Sequence, residues 1–422
     1  MKNNKFIFIL ILITFIVCGF PLLVYGLKTT FFFSIDPDIV YITNALLYTK
    51  YAIISYVDHP GTPSIMFLYF LFFPFRIFAK YFLHTGFIQW SFDNFGFLTY
   101  FCRFSELTVF CLSLFLFLKS LLVYTKSKLI IIFAWISIFV LLGFDWGIRV
   151  VPENQSFFLT AVWLLIFTKF IKSRKYILNI ILVILSGFTV ANKLTGIFLA
   201  VCSVTLPLFG KRLKLDQKFF KLETNIALFL ASFYLGILPA VKHLTYIQNW
   251  TKSLFDHAGT HATGVQAVFD WPSYSSSMVS LITSHPFIFI YIGLTIILAI
   301  WLLIKRKIYL NDPILYLFFI SFVGTVIFAK YPVIHYFFVN SILIVFCSTY
   351  FLTKINQKLL KYIVALLAVI VVINFTSYVK SVSVQLTNYS NESIYPTIKS
   401  WTPFWASDVF KEQFEVLDSS KP

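Results

Sequence analysis

Long apolar runs, each closed by a short polar cluster, recur along almost the whole chain. A bilayer core of about 30 Å is crossed by about 20 apolar residues in a helix. Runs of that order fall at 6–27, 97–118, 129–147, 155–170, 176–192, 194–209, 222–241, 281–304, 313–329, 334–353 and 361–379. The pattern predicts an all-α polytopic membrane protein of about eleven transmembrane helices. Several central runs are short, which suits a tilted or partly broken bundle around a cavity.

Composition agrees. Of 422 residues, 59% are hydrophobic and 12% charged, against about 25% charged in soluble domains; mean hydropathy is +0.85. The formal net charge of +17 would suggest nucleic acid in a soluble protein. Here the cations cluster in short loops between apolar runs, the mark of cytoplasmic loops, so no nucleic-acid partner is expected.

The run 64–83 is also long enough to cross, and charge decides its placement. If it lies along the outer interface, one side receives Lys2 and Lys5, then the clusters 119–128, 169–175, 211–221, 305–307 and 354–361. Together these hold more than half of the 34 basic residues. If it crosses, every cluster after the first faces outward, against the positive-inside rule. The first outer loop, 28–96, is therefore expected to carry interfacial helices, with Arg76 and Lys80 reaching the headgroups. A transmembrane domain then occupies 1–379 and an outward-facing tail 380–422. The first apolar run reads as an uncleaved anchor, since no small-x-small site follows it. The five cysteines lie in or beside apolar runs without metal-ligand spacing, and read as small core hydrophobes.

Candidate chemistry concentrates between positions 31 and 81. Asp36-Pro37-Asp38 has two readings. In one, Asp38 caps a helix beginning at Ile39; in the other, the two acids form a pair at a cavity mouth. One would then take a proton from an attacking hydroxyl, while the other positions it or holds a cation. Asp58-His59-Pro60-Gly61-Thr62-Pro63 is a rigid turn, with Asp58 and His59 either capping it or lining the same pocket. Arg149 and Glu153 either pair with each other or face the cavity. Asn192-Lys193-Leu194-Thr195-Gly196 interrupts an over-long apolar run, and the helix start beside Lys193 would suit a phosphate. Lys330-Tyr331-Pro332 with His335 and Tyr336 is a second basic outer turn. His257 and His261 have HxxxH spacing, but Gly259 and Gly264 oppose a helix there, so a flexible acceptor-binding loop is the preferred reading. No metal ligands are assigned, and a divalent cation is retained only as a possible companion of the acid pair.

In order along the chain these motifs resemble the GT-C superfamily of polyprenyl-phosphate-sugar glycosyltransferases. Protein O-mannosyltransferases and lipid A aminoarabinose transferases are the nearest in character. The family's acidic pair in the first outer loop corresponds to Asp36-Pro37-Asp38, with Tyr41 one turn on. Its His-Pro-Pro-Leu stretch corresponds to Asp58-His59-Pro60-Gly61. Arg103 stands where the family has an arginine in the second span, and Glu153 where it has an acid between the third and fourth. Lys193 and the Lys330–Tyr336 turn resemble its phosphate-binding turns. The spacer Pro37, Gly61 in place of a second proline, and the lack of a large outer domain depart from that pattern.

The resemblance implies a GT-C-type bundle and transfer of a hexosyl or pentosyl group from a polyprenyl-phosphate-linked donor. The acceptor would be a glycan, lipid or protein hydroxyl, with inversion at the anomeric carbon. Asp36 or Asp38 would be the base. Tyr41, Asp58, His59, Arg103, Arg149, Glu153, Lys193, Lys330, His335 and Tyr336 would contact substrate. The expected location is a bacterial inner membrane with its active site on the outer face, in contact with membrane lipids. The alternative is a transporter or flippase of a lipid-linked or anionic substrate.

Overall fold

The computed structural model describes residues 2–25, 35–52, 54, 61–83, 86–209, 221–255, 270–331, 333–355 and 357–389. Among these, every regular element is helical. The helices are α1 (Lys2–Tyr25), α2 (Ile35–Tyr51), α3 (Thr62–Leu71), α4 (Phe73–Phe78), α5 (Phe87–Asp93), α6 (Phe95–Leu121), α7 (Lys128–Leu142), α8 (Pro152–Ser173) and α9 (Tyr176–Asn192). They continue as α10 (Ile197–Thr205), α11 (Leu222–Ile237), α12 (Leu244–Phe255), α13 (Trp271–Ser284), α14 (Pro286–Ile304), α15 (Pro313–Phe328), α16 (Phe338–Leu352) and α17 (Gln357–Tyr389).

Among the described residues, seven helices are long and apolar enough to cross a membrane. The other four runs read from sequence as spans fold as the shorter apolar helices Lys128–Leu142, Tyr176–Asn192, Leu194–Thr205 and Pro313–Phe328. Their shortness has a local cause. At 143–151, 192–196 and 329–333 the helices stop at glycine, proline or polar residues, and the chain turns where the charged side chains gather. The ambiguous run forms two helical pieces, Thr62–Leu71 and Phe73–Phe82, bent by 40°.

Side-chain contacts orient the bundle. The Asn3 amide donates to the Lys126 carbonyl at 3.3 Å, and the Lys128 ammonium lies 5.3 Å over the Phe6 ring. The start of α1 therefore shares an end with the turn after α6. Towards its other end α1 approaches Leu107 at Gly19, and Gly147 at Cys18. Helices α1 and α6 thus run antiparallel, and the chain between them leaves and re-enters at the same end of the bundle.

The turns that carry Lys126, Lys307 and Lys354 meet at one end. Lys307 Nζ donates to the Lys354 carbonyl at 3.1 Å, and the Tyr350 hydroxyl donates to Asp312 Oδ2 at 2.7 Å. The Tyr124 and Tyr350 rings stand edge to face, 5.0 Å apart. At the opposite end the Tyr378 hydroxyl donates to the Cys18 carbonyl at 3.1 Å, and Phe144 packs on Phe375.

Helix α16 is the axis of the fold: all of its residues are buried, whereas α17 lies at the periphery with Tyr362, Leu366, Val369 and Val372 exposed. In lipid the helices associate by close packing and interhelical hydrogen bonds rather than by escape from water. Phenylalanine supplies much of that packing, as in the Phe110–Phe157 and Phe157–Phe338 contacts that tie α6, α8 and α16. Where α9 crosses α11 the backbones come close: a Cβ on Gly187 would stand 2.9 Å from the Phe229 carbonyl oxygen. Helix α17 continues without a break through 380 to Tyr389.

Candidate functional site

Helix α2 begins at Ile35, so Asp36, Pro37 and Asp38 all lie in its first turn. Proline is tolerated there because the first helical N–H groups have no partner within the helix. The expectation that Asp38 caps a helix starting at Ile39 is corrected: the helix starts four residues earlier, and the carboxylate is bonded elsewhere. Its Oδ2 accepts from Arg103 Nε at 2.7 Å, and its Oδ1 from the Val150 N–H at 2.7 Å. Both side chains are 0% exposed. Burial raises the Asp38 carboxyl above its ordinary range, opposed by Arg103, the Val150 N–H and nearby Arg149. One buried acid thereby joins α2, α6 and the turn before α8. Tyr41, one turn on, is also buried, in the same small core as Val40 and Ile42.

Glu106 follows Arg103 by three positions, on the same side of α6, and starts a second chain of bonds. Its Oε1 accepts from Gln155 Nε2 at 2.7 Å. The Ser64 hydroxyl stands 3.0 Å from Gln155 Oε1 and 2.6 Å from Asn192 Oδ1, and that same oxygen takes the Ser64 N–H at 3.1 Å. The Asn192 amide donates to the Pro152 carbonyl at 2.6 Å and to Ser156 Oγ at 2.9 Å. Its backbone carbonyl accepts the Gly61 N–H at 3.0 Å. Asn192 thus clamps the start of α3 onto α8 and α9, with Glu106 and Gln155 behind it.

Beside the clamp, Lys193 pairs with Glu153 in a buried ion pair. Arg149 is not the partner of Glu153: its guanidinium lies 5.3 Å over the Trp146 ring, and its backbone carbonyl accepts the Asn154 amide at 3.0 Å. The Lys193 ammonium also faces the Tyr336 ring at 5.7 Å. Tyr336 packs against His335 at 4.4 Å and Tyr331 at 5.4 Å, and Lys330 lies 5.2 Å over Tyr331. Burial pushes the Tyr331 phenol up to about 12, so it remains a hydrogen-bond donor at neutral pH.

The contacts therefore run without a gap from Asp38 through Val150, the 149–153 turn and Lys193 to Tyr336, Tyr331 and Lys330. All of these lie at the end of the bundle opposite the lysine turns. Of the residues singled out in the sequence, Asp38, Arg103, Arg149, Glu153, Lys193, Lys330, His335 and Tyr336 share this line. Asp36 belongs to it by its place on α2. Asp58, His59, His257 and His261 lie outside the described residues.

Sequence reasoning passed over Glu106, Gln155, Ser64 and Asn192 as a unit. The available signal was an acid three residues after an arginine inside an apolar run, where an unpaired charge is costly. Among the described residues, no three His, Cys, Asp or Glu side chains stand close enough to hold a metal ion.

No family model, curated protein or solved structure matches this chain. Its functional reading rests on its own geometry and on the motif resemblance.

Proposed function

We propose that the chain is an integral-membrane glycosyltransferase of GT-C type. It moves a hexosyl or pentosyl group from a polyprenyl phosphate to a hydroxyl of a glycan, lipid or protein. The observation that carries this reading is the unbroken line of contacts from the acidic turn of α2 to the Lys330 turn. Acid and cation at one end of a lipid-embedded bundle suit an anionic headgroup entering from the bilayer.

The two buried pairs divide the labour. Arg103 and the Val150 N–H hold Asp38, so Asp38 positions the first turn of α2, and Asp36 in the same turn is the base. Lys193 is neutralised by Glu153, and the donor phosphate is placed against Arg149 and Lys330, which stand on the same line of contacts. The acceptor oxygen attacks the anomeric carbon from the side opposite the phosphate. Its proton passes to the Asp36 carboxylate, and the carbon–oxygen bond to phosphate breaks. The bond electrons leave with the polyprenyl phosphate, and the configuration inverts. Cations are most effective where that charge develops away from water.

With the lysine turns in the cytosol, as the positive-inside rule directs, the site opens on the outer face of a bacterial inner membrane. The bent pair α3–α4 then lies along the outer leaflet.

One observation favours a second reading, transport of an anionic or lipid-linked substrate. Glu106 is buried within α6, and intramembrane acids mark ion and proton paths.

The test is transfer from a labelled polyprenyl-phosphate sugar by purified protein in detergent. Transfer that is lost in Asp36→Asn, with the fold intact, supports the enzyme. Equal rates in Asp36→Asn and wild type overturn the assignment of the base. Uptake into vesicles without any new glycosidic bond favours the transporter.

A further inference from the structure

The opposite end of the bundle carries a feature that the proposed reaction does not use. Helices α14 and α15 diverge there to leave a cavity of about 510 Å³, lined by Ile296, Ala299, Leu303, Leu315, Phe318 and Phe322 among other apolar side chains. It opens on the lipid-facing side, where Ile300 is 52% and Phe319 57% exposed.

Depth and mouth together define an occupant. Leu303 and Leu310 line the groove and flank the exposed cations Lys305, Arg306 and Lys307. Ile296, the deepest lining residue on α14, lies nine positions before Lys305. At a rise of 1.5 Å per residue the groove is about 14 Å deep. Phe322 sits at the matching depth on α15, nine positions after Pro313. That length is about half of the 30 Å hydrocarbon core, so the groove spans one leaflet.

A helix C-terminus and the positive-inside bias each account for cations on this turn. Neither accounts for an apolar slot one leaflet deep directly beneath them. The mouth is also fixed in shape. Lys307 lies over Trp301 at 5.1 Å and donates to the Lys354 carbonyl, which ties the α14–α15 turn to the α16–α17 turn. The nearby Asp312 keeps its charge, but its oxygens are engaged by the Ile314 N–H at 2.9 Å and the Tyr350 hydroxyl at 2.7 Å, and the three cations outnumber it.

We propose that this groove is a binding site for an anionic phospholipid of the leaflet at the lysine end. One acyl chain lies between α14 and α15, and the phosphate rests on Lys305, Arg306 and Lys307. The site is separate from the sugar-transfer centre and does not depend on that assignment.

The experiment is native mass spectrometry of the full chain after delipidation, with phosphatidylglycerol or phosphatidylcholine added back. Wild type retains phosphatidylglycerol in preference. Each cation near an anionic surface is worth about a fivefold change in binding, so K305Q/R306Q/K307Q weakens phosphatidylglycerol binding by about a hundredfold. Phosphatidylcholine is left unchanged. The control K169Q/K172Q, which removes exposed cations from another turn at the same end, keeps the preference. Ile300→Trp, placed at the groove opening, lowers binding without altering charge, and a single K305Q serves if the triple variant is not monodisperse. Equal retention of the two lipids by wild type overturns the proposal. So does an equal loss in the control variant, or a polyprenyl phosphate that displaces phosphatidylglycerol from the groove.

Discussion

Lys193 at the end of α9 closes its ion pair on Glu153 at the start of α8, forty positions earlier, with both side chains almost fully buried. Two charges placed so deep are tolerated because each cancels the other. Removing one partner leaves an uncompensated charge and costs about 3–5 kcal/mol. Lys193→Met and Glu153→Met should each lower the thermal unfolding midpoint in detergent sharply. The double variant should recover a large part of the loss. Additive losses in the double variant would mean that the two residues do not form a unit.

Asp38 and Arg103 make a second such pair, and here the chemistry of the substituent separates two contributions. Asp38→Asn keeps an oxygen that can accept the Val150 N–H, whereas Asp38→Ala leaves both that N–H and Arg103 without their acceptor. The alanine variant should be the less stable, by about 1–3 kcal/mol for the orphaned donor. Chemical denaturation followed by tryptophan fluorescence reads the difference. Equal stability of the two variants would remove Val150 from the account.

Asn192 joins α3, α8 and α9 through one side chain and one carbonyl. Asn192→Ala should raise hydrogen exchange at the Ser64 amide, which bonds the side chain directly, more than at Gly61, which bonds the retained backbone carbonyl. Amides in the middle of α16 should be unaffected. Uniform exchange over all three would point to global loosening instead of a local clamp.

Gly187 sits where α9 meets α11. A Cβ there would crowd the Phe229 carbonyl, so Gly187→Leu should force the helices apart. A cost of about 1–3 kcal/mol is expected from such overpacking. A melting curve equal to wild type would show that this crossing gives way freely.

The shared end of Asn3 and Lys126 gives a test of topology. A short bifunctional thiol crosslinker should join cysteines placed at these two positions. A membrane-impermeant thiol reagent should label cysteines at 126 and 330 from opposite faces of the membrane. Labelling of both from one face would contradict the antiparallel course of the bundle.

The sequence by itself determined the class of protein and the position of most helices. Each of these follows from solvation, and a run of apolar residues or a cluster of cations carries that preference locally. Helix breaks at Asn192–Gly196 and Lys330–Val333 were legible for the same reason, since polar residues interrupted an otherwise unbroken apolar pattern. What joins those breaks was not legible. Asp38 meets Arg103 and Val150, Glu153 takes Lys193 rather than Arg149, and Asn192 reaches Ser64 across 128 positions. Such partners depend on how each helix is rotated about its axis and slid along its neighbour. A nearly uniform phenylalanine- and leucine-rich surface leaves both unspecified until the helices pack, so only the tertiary structure decided them.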